Sequence, residues 1–413
     1  MSQDRSTGIF HEVLSSATKT YAVSDNPPVF VSADGAWLTD TEGKRYLDFA
    51  CGSGTTSLGH NHPAIMSAVK AQIDRGITHI GPHFHTHAQD ELYRLLQTVL
   101  PENLRRFHPA TNGTEATESA LKAAMHFTGH HTFLAFEGGY HGRTLGALAV
   151  SAAKGPNAAL GPLSPQTVFV PYGCDLVQLA DAVKSCPPLA GIIIEPVQAT
   201  QGMIRPPEGF LGALSELAKA HQIPLIFDEV FTGFGRSGTL FAFEQENVTP
   251  DLLILGKAFG GGFPGGLVAG RDDIMTAWTP GAQSSTFQLH PVTAAAAKAS
   301  LEVILDQVTL ANIRQIEQSM TAHSKSLNDN SGVADVRGLG AMFGVEIIDT
   351  EGKPDQPRTK AVRALALSNG LITWECGSHG HVIGLVPPLI VSKKEIVFGL
   401  EILGEALNAV LSR

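Results

Sequence analysis

The sequence lacks any cluster of basic residues. Its 413 residues include 29 Lys and Arg against 39 Asp and Glu, which gives a formal net charge of −10. Proteins that bind nucleic acid neutralise phosphates with grouped Lys and Arg, so this composition argues against a nucleic-acid partner. A negative overall field would instead attract a cationic substrate weakly.

The chain also has few cysteines and no long hydrophobic run. No apolar stretch approaches the length needed to span a membrane, and the N-terminal Met-Ser-Gln-Asp-Arg lacks the regions of a signal peptide. The cysteines are widely spaced and show no Cys-x-x-Cys pattern, so the sequence predicts neither a disulfide framework nor a zinc site. We therefore expect a soluble, cytoplasmic protein without a membrane partner. The four cysteines are Cys51, Cys174, Cys186 and Cys376.

What the sequence does contain is an alternation of apolar runs with amphipathic stretches through its middle. This alternation predicts an α/β fold, in which helices cover a mostly parallel sheet. A chain of 413 residues exceeds one ordinary core, so a second, smaller α+β domain is expected from about residue 301. The expected division is an N-terminal segment, 1–60, that joins the small domain, a large domain, 61–300, and a C-terminal small domain, 301–413. The predicted strands of the large domain are 132–136, 167–170, 191–194, 224–227 and 251–255.

One lysine stands at the end of a predicted strand. Lys257 follows the apolar run Leu252-Leu-Ile-Leu255 and lies in a glycine-rich turn that continues to Gly266. Ligand sites in α/β sheets lie at the carboxyl ends of the strands, which favours a chemical role for this lysine. A solvated lysine in a surface turn is the alternative.

Three further strand ends carry polar or glycine-rich groups. Asp228 directly follows an apolar run, and a carboxylate there needs a cationic partner or strong hydrogen bonds. The turn 110–118 opens a helix whose first N–H groups can hold a phosphate, with Thr111 or Asn112 as the N-cap. Tyr140 lies on a glycine hinge, where its ring could stack on a planar ligand. An acid that caps a turn, an ordinary capping box and a core tyrosine are the respective alternatives.

An amine that can form an imine, a carboxylate, a phosphate site and an aromatic ring together match the needs of pyridoxal phosphate. Here the sequence resembles the class III aminotransferases of the ornithine and 4-aminobutyrate type, which are pyridoxal-phosphate enzymes of fold type I. The most specific matches are Phe227-Asp-Glu-Val-Phe-Thr-Gly-Phe-Gly-Arg-Ser-Gly238 and, at the family's spacing, Leu255-Gly-Lys-Ala-Phe-Gly-Gly-Gly-Phe-Pro264. The resemblance extends from Trp37 to Leu389.

The resemblance implies roles for individual residues. Lys257 would carry pyridoxal 5′-phosphate covalently as a Schiff base and move the substrate proton, while Asp228 would keep the ring nitrogen protonated. Thr286 would reach the phosphate of the neighbouring subunit, which implies a homodimer with shared active sites. The other cofactor contacts implied by the match are Gly113, Thr114, Tyr140, His141 and Val230.

The chain departs from the family's pattern where a substrate carboxylate would bind. Members that act with 2-oxoglutarate carry an arginine before Pro-Pro-Leu and a glutamate that pairs with it when the carboxylate is away. Gly384 and Thr200 stand at these two positions, Thr200 being five residues after Glu195. Loss of both partners is expected if the pocket no longer switches between a carboxylate and an uncharged group, because loss of one would leave a charge unpaired. The alternative is that Arg143 or Arg205 has taken over the arginine's task.

Two other features bear on the substrate. Phe231 stands where the family commonly has a glutamine that touches the cofactor's ring oxygen. The segment 77–87 carries four histidines, and we interpret it as an active-site loop in which His83 and His85, together with Cys51, face the substrate. A metal site is disfavoured there because the segment has no acidic partner.

These features predict an aminotransferase that moves an amino group from a donor amino acid to a small-molecule aldehyde or ketone without a carboxylate. The chain most resembles the aminoglycoside-pathway branch of the family, whose members aminate an oxidised sugar carbon such as C6′. Two alternatives remain open on the same scaffold. One is an isomerase (epimerase, racemase or aminomutase) that returns the proton to Cα, and the other is an aminotransferase for ω-amino acids or amines.

Overall fold

The computed structural model describes residues 15, 17, 27–152 and 160–411. The strands within these residues are β1 Phe30–Asp34, β2 Trp37–Asp40, β3 Arg45–Asp48, β4 Arg106–Ala110, β5 Thr132–Phe136, β6 Gln166–Val170, β7 Leu189–Ile194, β8 Leu225–Asp228, β9 Leu252–Leu255, β10 Gly266–Gly270, β11 Val333–Leu339, β12 Met342–Ile347, β13 Leu371–Ile372, β14 Trp374–Cys376 and β15 Val382–Leu385.

The α-helices of the described residues are α1 Pro63–Asp74, α2 His87–Val99, α3 Gly113–Thr128, α4 Leu145–Ala149, α5 Leu176–Ser185, α6 Phe210–Ala220, α7 Asp272–Met275, α8 Pro291–Ile304, α9 Gln307–Asn328, α10 Gln356–Ser368 and α11 Lys393–Leu411. Among the described residues, no helix combines the length and the apolar character that crossing a lipid bilayer requires.

The central sheet has seven strands in the order β4-β10-β9-β8-β7-β5-β6. β9, β8, β7, β5 and β6 run parallel to one another, whereas β10 runs antiparallel to both β4 and β9. The predicted α/β class is therefore confirmed, and each predicted strand is present with small shifts at its ends. The parallel order places the carboxyl ends of β9, β8, β7 and β5 side by side.

Both faces of the central sheet are covered, which explains the unbroken apolar runs of its inner strands β7 and β9. Phe227, Leu253 and Leu255 face one core, while Ile226 and Ile254 face a second core that includes the small residues of α3. Because side chains alternate along a strand, a sheet buried on both faces needs continuous apolar runs rather than alternation.

Two smaller sheets lie outside the central one. Strands β1, β2 and β3 form a sheet with β13, in which Leu47 pairs in parallel with Leu371. Strands β11, β12, β15 and β14 form an antiparallel sheet in that order. The pairing of β3 with β13 supports our proposal that residues 1–60 join the small domain, and the division at 60 and 300 stays a proposal.

The turn between β11 and β12 contacts the segment 236–238 through its backbone. Gly340 has a φ of 54°, and a Cβ added to it would lie 2.4 Å from the backbone N of Gly238. The N–H of Ala341 donates to the carbonyl of Arg236 at 2.9 Å. A side chain at residue 340 would therefore push the two segments apart.

Arg236 joins three parts of the chain by hydrogen bonds from its buried guanidinium. Its Nη1 donates to the carbonyl oxygens of Ala341, at 2.9 Å, and Pro387, at 2.5 Å, while its Nη2 donates to Ser57 Oγ at 3.1 Å. The side chain is 1% exposed, and this burial lowers the pKa of Arg236 from its ordinary value. Segments from both ends of the chain are thus held against the turn that follows β8.

We expect Arg236→Lys to destabilise the fold by about 1–3 kcal/mol. The single ammonium nitrogen of lysine cannot span the three acceptors that the two Nη atoms of the guanidinium fork reach, so a buried carbonyl would lose its donor. The midpoint of urea unfolding, followed by circular dichroism, measures this change. Arg94→Lys is the matched control, since Arg94 is exposed and forms an ion pair with Asp90 four residues earlier, an arrangement that contributes little. Equal unfolding midpoints for the two variants would contradict the role assigned to Arg236.

Candidate active site

Lys257 lies at the carboxyl end of β9, where it begins a single 3₁₀ turn, Lys257–Gly260. Its φ is 46°, in the left-handed region that costs a residue with a side chain about 1 kcal/mol. The amine Nζ lies 4.5 Å from the centroid of the Phe231 ring. Burial lowers the pKa of Lys257, and the negative charges of Asp228 and Glu195 partly oppose that shift. A lowered pKa gives more of the neutral amine, which is the nucleophilic form.

Asp228 ends β8, the strand beside β9, and its carboxylate is held from two sides. Oδ2 lies 2.7 Å from Nδ1 of His141, and Oδ1 accepts the N–H of Val230 at 3.0 Å. The side chain of His141 is itself buried, and its backbone N–H donates to Ser151 Oγ at 2.8 Å. These partners satisfy a carboxylate that is 4% exposed and fix its direction.

The N-terminus of α3 lies beside these two residues. Asn112 is its N-cap and accepts the N–H of Glu115 at 3.0 Å, and the first helical hydrogen bond runs from Ala116 to Asn112. The N–H groups of Gly113 and Thr114 precede that bond, so they can donate to an anion, aided by the helix dipole. A Cβ at residue 113 would lie 2.8 Å from Val230 Cγ1, so a glycine is needed there.

Two hydroxyl groups extend this anion site. Thr114 Oγ1 lies 2.9 Å from Oγ1 of Thr144. Gly142 makes this approach possible, because a Cβ there would lie 2.1 Å from Thr114 Oγ1. The φ of Gly142 is 134°, which residues with a side chain rarely adopt.

Glu195 follows β7 and supports the turn that carries Tyr140. Its Oε1 accepts the backbone N–H of Tyr140 at 2.8 Å. Burial raises the pKa of Glu195 to about 7, and the nearby Asp228 adds to that effect while His141 opposes it. The side chain is 6% exposed and holds the turn of Tyr140 through this hydrogen bond, and the predicted contact of Glu195 with a substrate stays a proposal.

These groups fit pyridoxal phosphate. The start of α3 offers donors for a phosphate, the methyl groups of Val230 offer an apolar contact for a ring, and Asp228 offers a fixed carboxylate for a protonated nitrogen. Lys257 supplies the amine. The roles of these residues, and of Tyr140 as the stacking ring, stay proposals.

The position of the missing arginine is filled by an aromatic side chain. Gly384 lies in β15, opposite Trp374 of β14, and a Cβ at residue 384 would lie 3.1 Å from Cε3 of that indole. The Trp374 ring stacks on Phe231, with centroids 4.9 Å apart and an interplanar angle of 13°. Both rings belong to an apolar cluster that includes Met203 and Val386.

Thr200 lies in a turn after β7, and its carbonyl accepts the N–H of Gly377, the residue after β14, at 2.9 Å. It borders a cavity of about 660 Å³ whose lining includes Arg143, Glu375, His379 and Cys376. A Cβ at residue 384 would also lie 3.2 Å from the Cys376 sulfur. The fold thus brings both departures from the family pattern close to β14. Arg205 lies in another cavity, beside Glu208 and Glu246.

Three predicted substrate contacts differ in their exposure, and their contact with a substrate stays a proposal. Cys51 is fully buried in a left-handed turn with a φ of 47°, and burial raises the pKa of its thiol to about 12. Gly54 approaches the site instead, since a Cβ there would lie 3.6 Å from Lys257 Cδ. His83 and His85 are exposed at the protomer surface.

The histidine segment packs on the segment that carries Thr286. The His79 ring lies 5.0 Å from the Phe287 ring and stacks on His290 at 5.5 Å, and Thr286 is exposed. Among the described residues, no three His, Cys, Asp or Glu side chains form a group that could hold a metal ion.

Sequence reasoning missed Trp374. The only signal for it was the glycine at 384, which showed that the arginine was gone but not what occupied its place. Trp374 and Gly384 are ten residues apart in the chain and become neighbours only through strand pairing.

Comparison with known proteins agrees with this geometry. The family profile "Aminotransferase class-III" matches residues 20–407. The acetylornithine aminotransferase of Methanopyrus kandleri is 39% identical over 384 residues, which cover 93% of this chain and 95% of that protein.

Solved structures agree as well. The ornithine aminotransferase of Toxoplasma gondii matches with a TM-score of 0.87 and 27% identity, over 98% of this chain and 94% of that one. An (S)-enantioselective omega-transaminase of Thermomicrobium roseum matches with a TM-score of 0.87 and 28% identity, over 94% and 93% of the two chains. The chain therefore belongs to the class III aminotransferases, enzymes of fold type I that use pyridoxal phosphate.

Proposed function

We propose that this aminotransferase moves an amino group from a donor amino acid to an aldehyde or ketone that carries no carboxylate, namely an oxidised amino sugar at a C6′-type carbon. One observation carries the proposal: the indole of Trp374 lies against Gly384, where the family has its carboxylate-binding arginine. An aromatic ring cannot form the two parallel hydrogen bonds that hold a carboxylate.

The cavity beside Thr200 supports a polyhydroxylated acceptor. Its lining offers donors and acceptors of both charges, including Arg143, Gln356, Glu375 and Ser378. Hydroxyl and amino groups of a sugar can form hydrogen bonds with such groups, which an apolar substrate cannot do. The protein's net charge of −10 favours a cationic amino sugar at long range.

The residues around Lys257 suit this reaction. When bound, pyridoxal phosphate supplies the carbonyl that takes up the nitrogen and the ring that accepts the electrons released at Cα. Asp228, fixed by His141 and the Val230 N–H, holds a proton at the ring nitrogen. Lys257, whose pKa is lowered, would take the proton from the substrate's Cα and deliver it to C4′ of the cofactor.

We expect borohydride treatment of the enzyme loaded with pyridoxal phosphate to fix the cofactor on Lys257, because its amine lies beside Asp228 and the start of α3, the residues proposed to hold the cofactor. Peptide mass spectrometry locates the modified residue. Lys257→Ala should give no fixed cofactor at the site, whereas Lys219→Ala should give as much as the natural protein, since Lys219 is 66% exposed and pairs with Glu216. Fixation at the active site in Lys257→Ala would show that another lysine does this work.

A second candidate is an aminotransferase for ω-amino acids. Arg143 favours it, because this cation borders the cavity and could hold a substrate carboxylate in place of the missing arginine. The names of the relatives, ornithine and acetylornithine aminotransferases and an omega-transaminase, are consistent with it.

The two candidates predict opposite orders of acceptor reactivity. The enzyme loaded with pyridoxamine phosphate is mixed with a 6′-aldehyde of an amino sugar or with succinate semialdehyde, and the return of pyridoxal phosphate absorbance is followed. We expect kcat/KM to be at least about tenfold higher for the sugar aldehyde, which corresponds to about 1.4 kcal/mol of transition-state binding. A higher value for succinate semialdehyde would favour the ω-amino acid function.

We also propose a homodimer with shared active sites. Its support is an exposed apolar surface formed by Ile80, 37% exposed, Phe84, 67% exposed, and Phe287, 58% exposed. This surface includes the neighbour of Thr286, and neighbouring exposed apolar side chains of this size mark interaction sites. In such a dimer His83 and His85, on the same surface, would lie near the partner's site. A cytoplasmic location stays a prediction from the sequence.

Mixed dimers test this arrangement. We expect Lys257→Ala and Thr286→Asp each to lose most activity, the second because a carboxylate would repel the partner's phosphate. Unfolding and refolding the two together should restore up to about a quarter of the natural activity, since a mixed dimer has one site free of both changes. No restoration above the sum of the two separate variants would mean that Thr286 does not act across the interface.

A further inference from the structure

We propose that Phe231 is a positioning residue for Lys257, and that the face of its ring favours the positive charge which the lysine nitrogen carries during the reaction. The inference rests on the role given to Lys257 in the proposed function, but it does not depend on which acceptor the enzyme uses. It assigns a task to an aromatic side chain that stands where the family commonly has a glutamine.

The first support is the contact between the amine and the ring. Nζ of Lys257 lies over the Phe231 ring, 4.5 Å from its centroid. A cation within about 6 Å of the centroid is attracted by the partial negative charge of the ring face. Among the residues that the structure describes, Nζ forms no hydrogen bond and no ion pair. The ring is therefore the group that meets this amine directly.

The second support is that the ring is fixed where it meets the amine. Trp374 stacks on the ring, with centroids 4.9 Å apart and an interplanar angle of 13°. A Cβ at Gly54 would lie 3.2 Å from Phe231 Cε2 and 3.6 Å from Lys257 Cδ, so the glycine lets the ring and the lysine side chain come together. Phe231 is 6% exposed, and an electrostatic contact that excludes water is screened weakly.

The third support is the balance of charge around Nζ. Burial lowers the pKa of Lys257, and the carboxylates of Asp228 and Glu195 oppose that shift. His141 adjoins both carboxylates, and its Nδ1 lies 2.7 Å from Asp228 Oδ2. The ring of Phe231 adds to the effect of the carboxylates, because it also favours the charged nitrogen. It does so without accepting a hydrogen bond, so it does not hold the amine at one point.

The reaction needs a charged Lys257 nitrogen at two stages. The nitrogen is positively charged when it carries the cofactor in protonated form, and again as an ammonium group after it has taken the proton from the substrate's Cα. Because the ring favours the charged form, it raises the pKa of this nitrogen. Weakening the negative charge of the ring face should therefore lower that pKa.

The test changes the charge of the ring face while keeping the shape of the side chain. Phenylalanine at residue 231 is replaced by its mono-, di- and trifluorinated forms, since fluorine withdraws electrons from the ring. The enzyme loaded with pyridoxal phosphate is titrated with base, and the loss of its yellow absorbance reports loss of the proton from the Lys257 nitrogen. We expect the midpoint to fall stepwise with fluorination, by about 0.4–1.5 pH units in total, the range of a cation–π contact.

A matched control uses the same fluorinated residues at Phe259. This ring is also buried and lies two residues after Lys257, but it packs on Phe234 with centroids 5.9 Å apart. Its fluorination should leave the midpoint unchanged. Phe231→Leu, which removes the ring, should lower the midpoint at least as far as the trifluorinated form does. Asp228, Glu195 and His141 are the same in every variant, so their own titration does not differ across the series.

Two results would overturn the inference. A midpoint that stays constant or rises across the fluorinated series at residue 231 would show that the ring face does not act on the charge, even if Phe231→Leu shifted it through altered packing. Fixation of the cofactor on another lysine in the borohydride experiment would remove the role of Lys257 itself. The titration contains no substrate, so a wrong assignment of the acceptor would leave its result unchanged.

Discussion

A carboxylate buried at the end of a central strand must be given partners, and the arrangement of the active site follows from how Asp228 obtains them. His141 supplies one partner and the Val230 N–H the other. Because His141 follows β5 and Asp228 ends β8, this pair ties together two strand ends that β7 separates. The turn that carries Tyr140 is then held by Glu195, from β7 itself. Burial of one charge thus organises three strand ends around Lys257.

Close backbone contacts set the remaining geometry. Gly113 and Gly256 come together so closely that a Cβ at residue 256 would lie 3.0 Å from Gly113 Cα, with Val230 packed beside both. This contact brings the start of α3 next to Lys257, so the donors for an anion and the reactive amine share one site. A second close backbone contact involves Gly340, whose backbone lies against the segment that carries Arg236. In both places the lack of a side chain lets two backbone segments come together, and the buried guanidinium of Arg236 adds hydrogen bonds across the second contact.

The departure from the family lies on the small-domain side of the site. The pairing of β14 with β15 places Trp374 beside Gly384, and Thr200, from a turn after β7, borders a cavity lined by polar residues. Lys257 and Asp228 on the central sheet keep the family's pattern, whereas Gly384 and Thr200, together with Phe231 just after β8, depart from it. Under the proposed function, the catalytic residues and Gly384 come from different sheets, so one set can change while the other is retained.

The sequence by itself determined the α/β class, the strand ends that carry Lys257 and Asp228, and a helix N-cap at Thr111 or Asn112, because these depend on local runs and short motifs. It also identified the family, since the segments around Asp228 and Lys257 are long and specific. Only the tertiary structure decided that Cys51 is buried, that Glu195 supports Tyr140, and that Trp374 fills the space over Gly384. Those facts depend on which strands pair and which turns meet. Residues distant in sequence, such as Gly54 and Lys257, become neighbours only when the whole chain has packed.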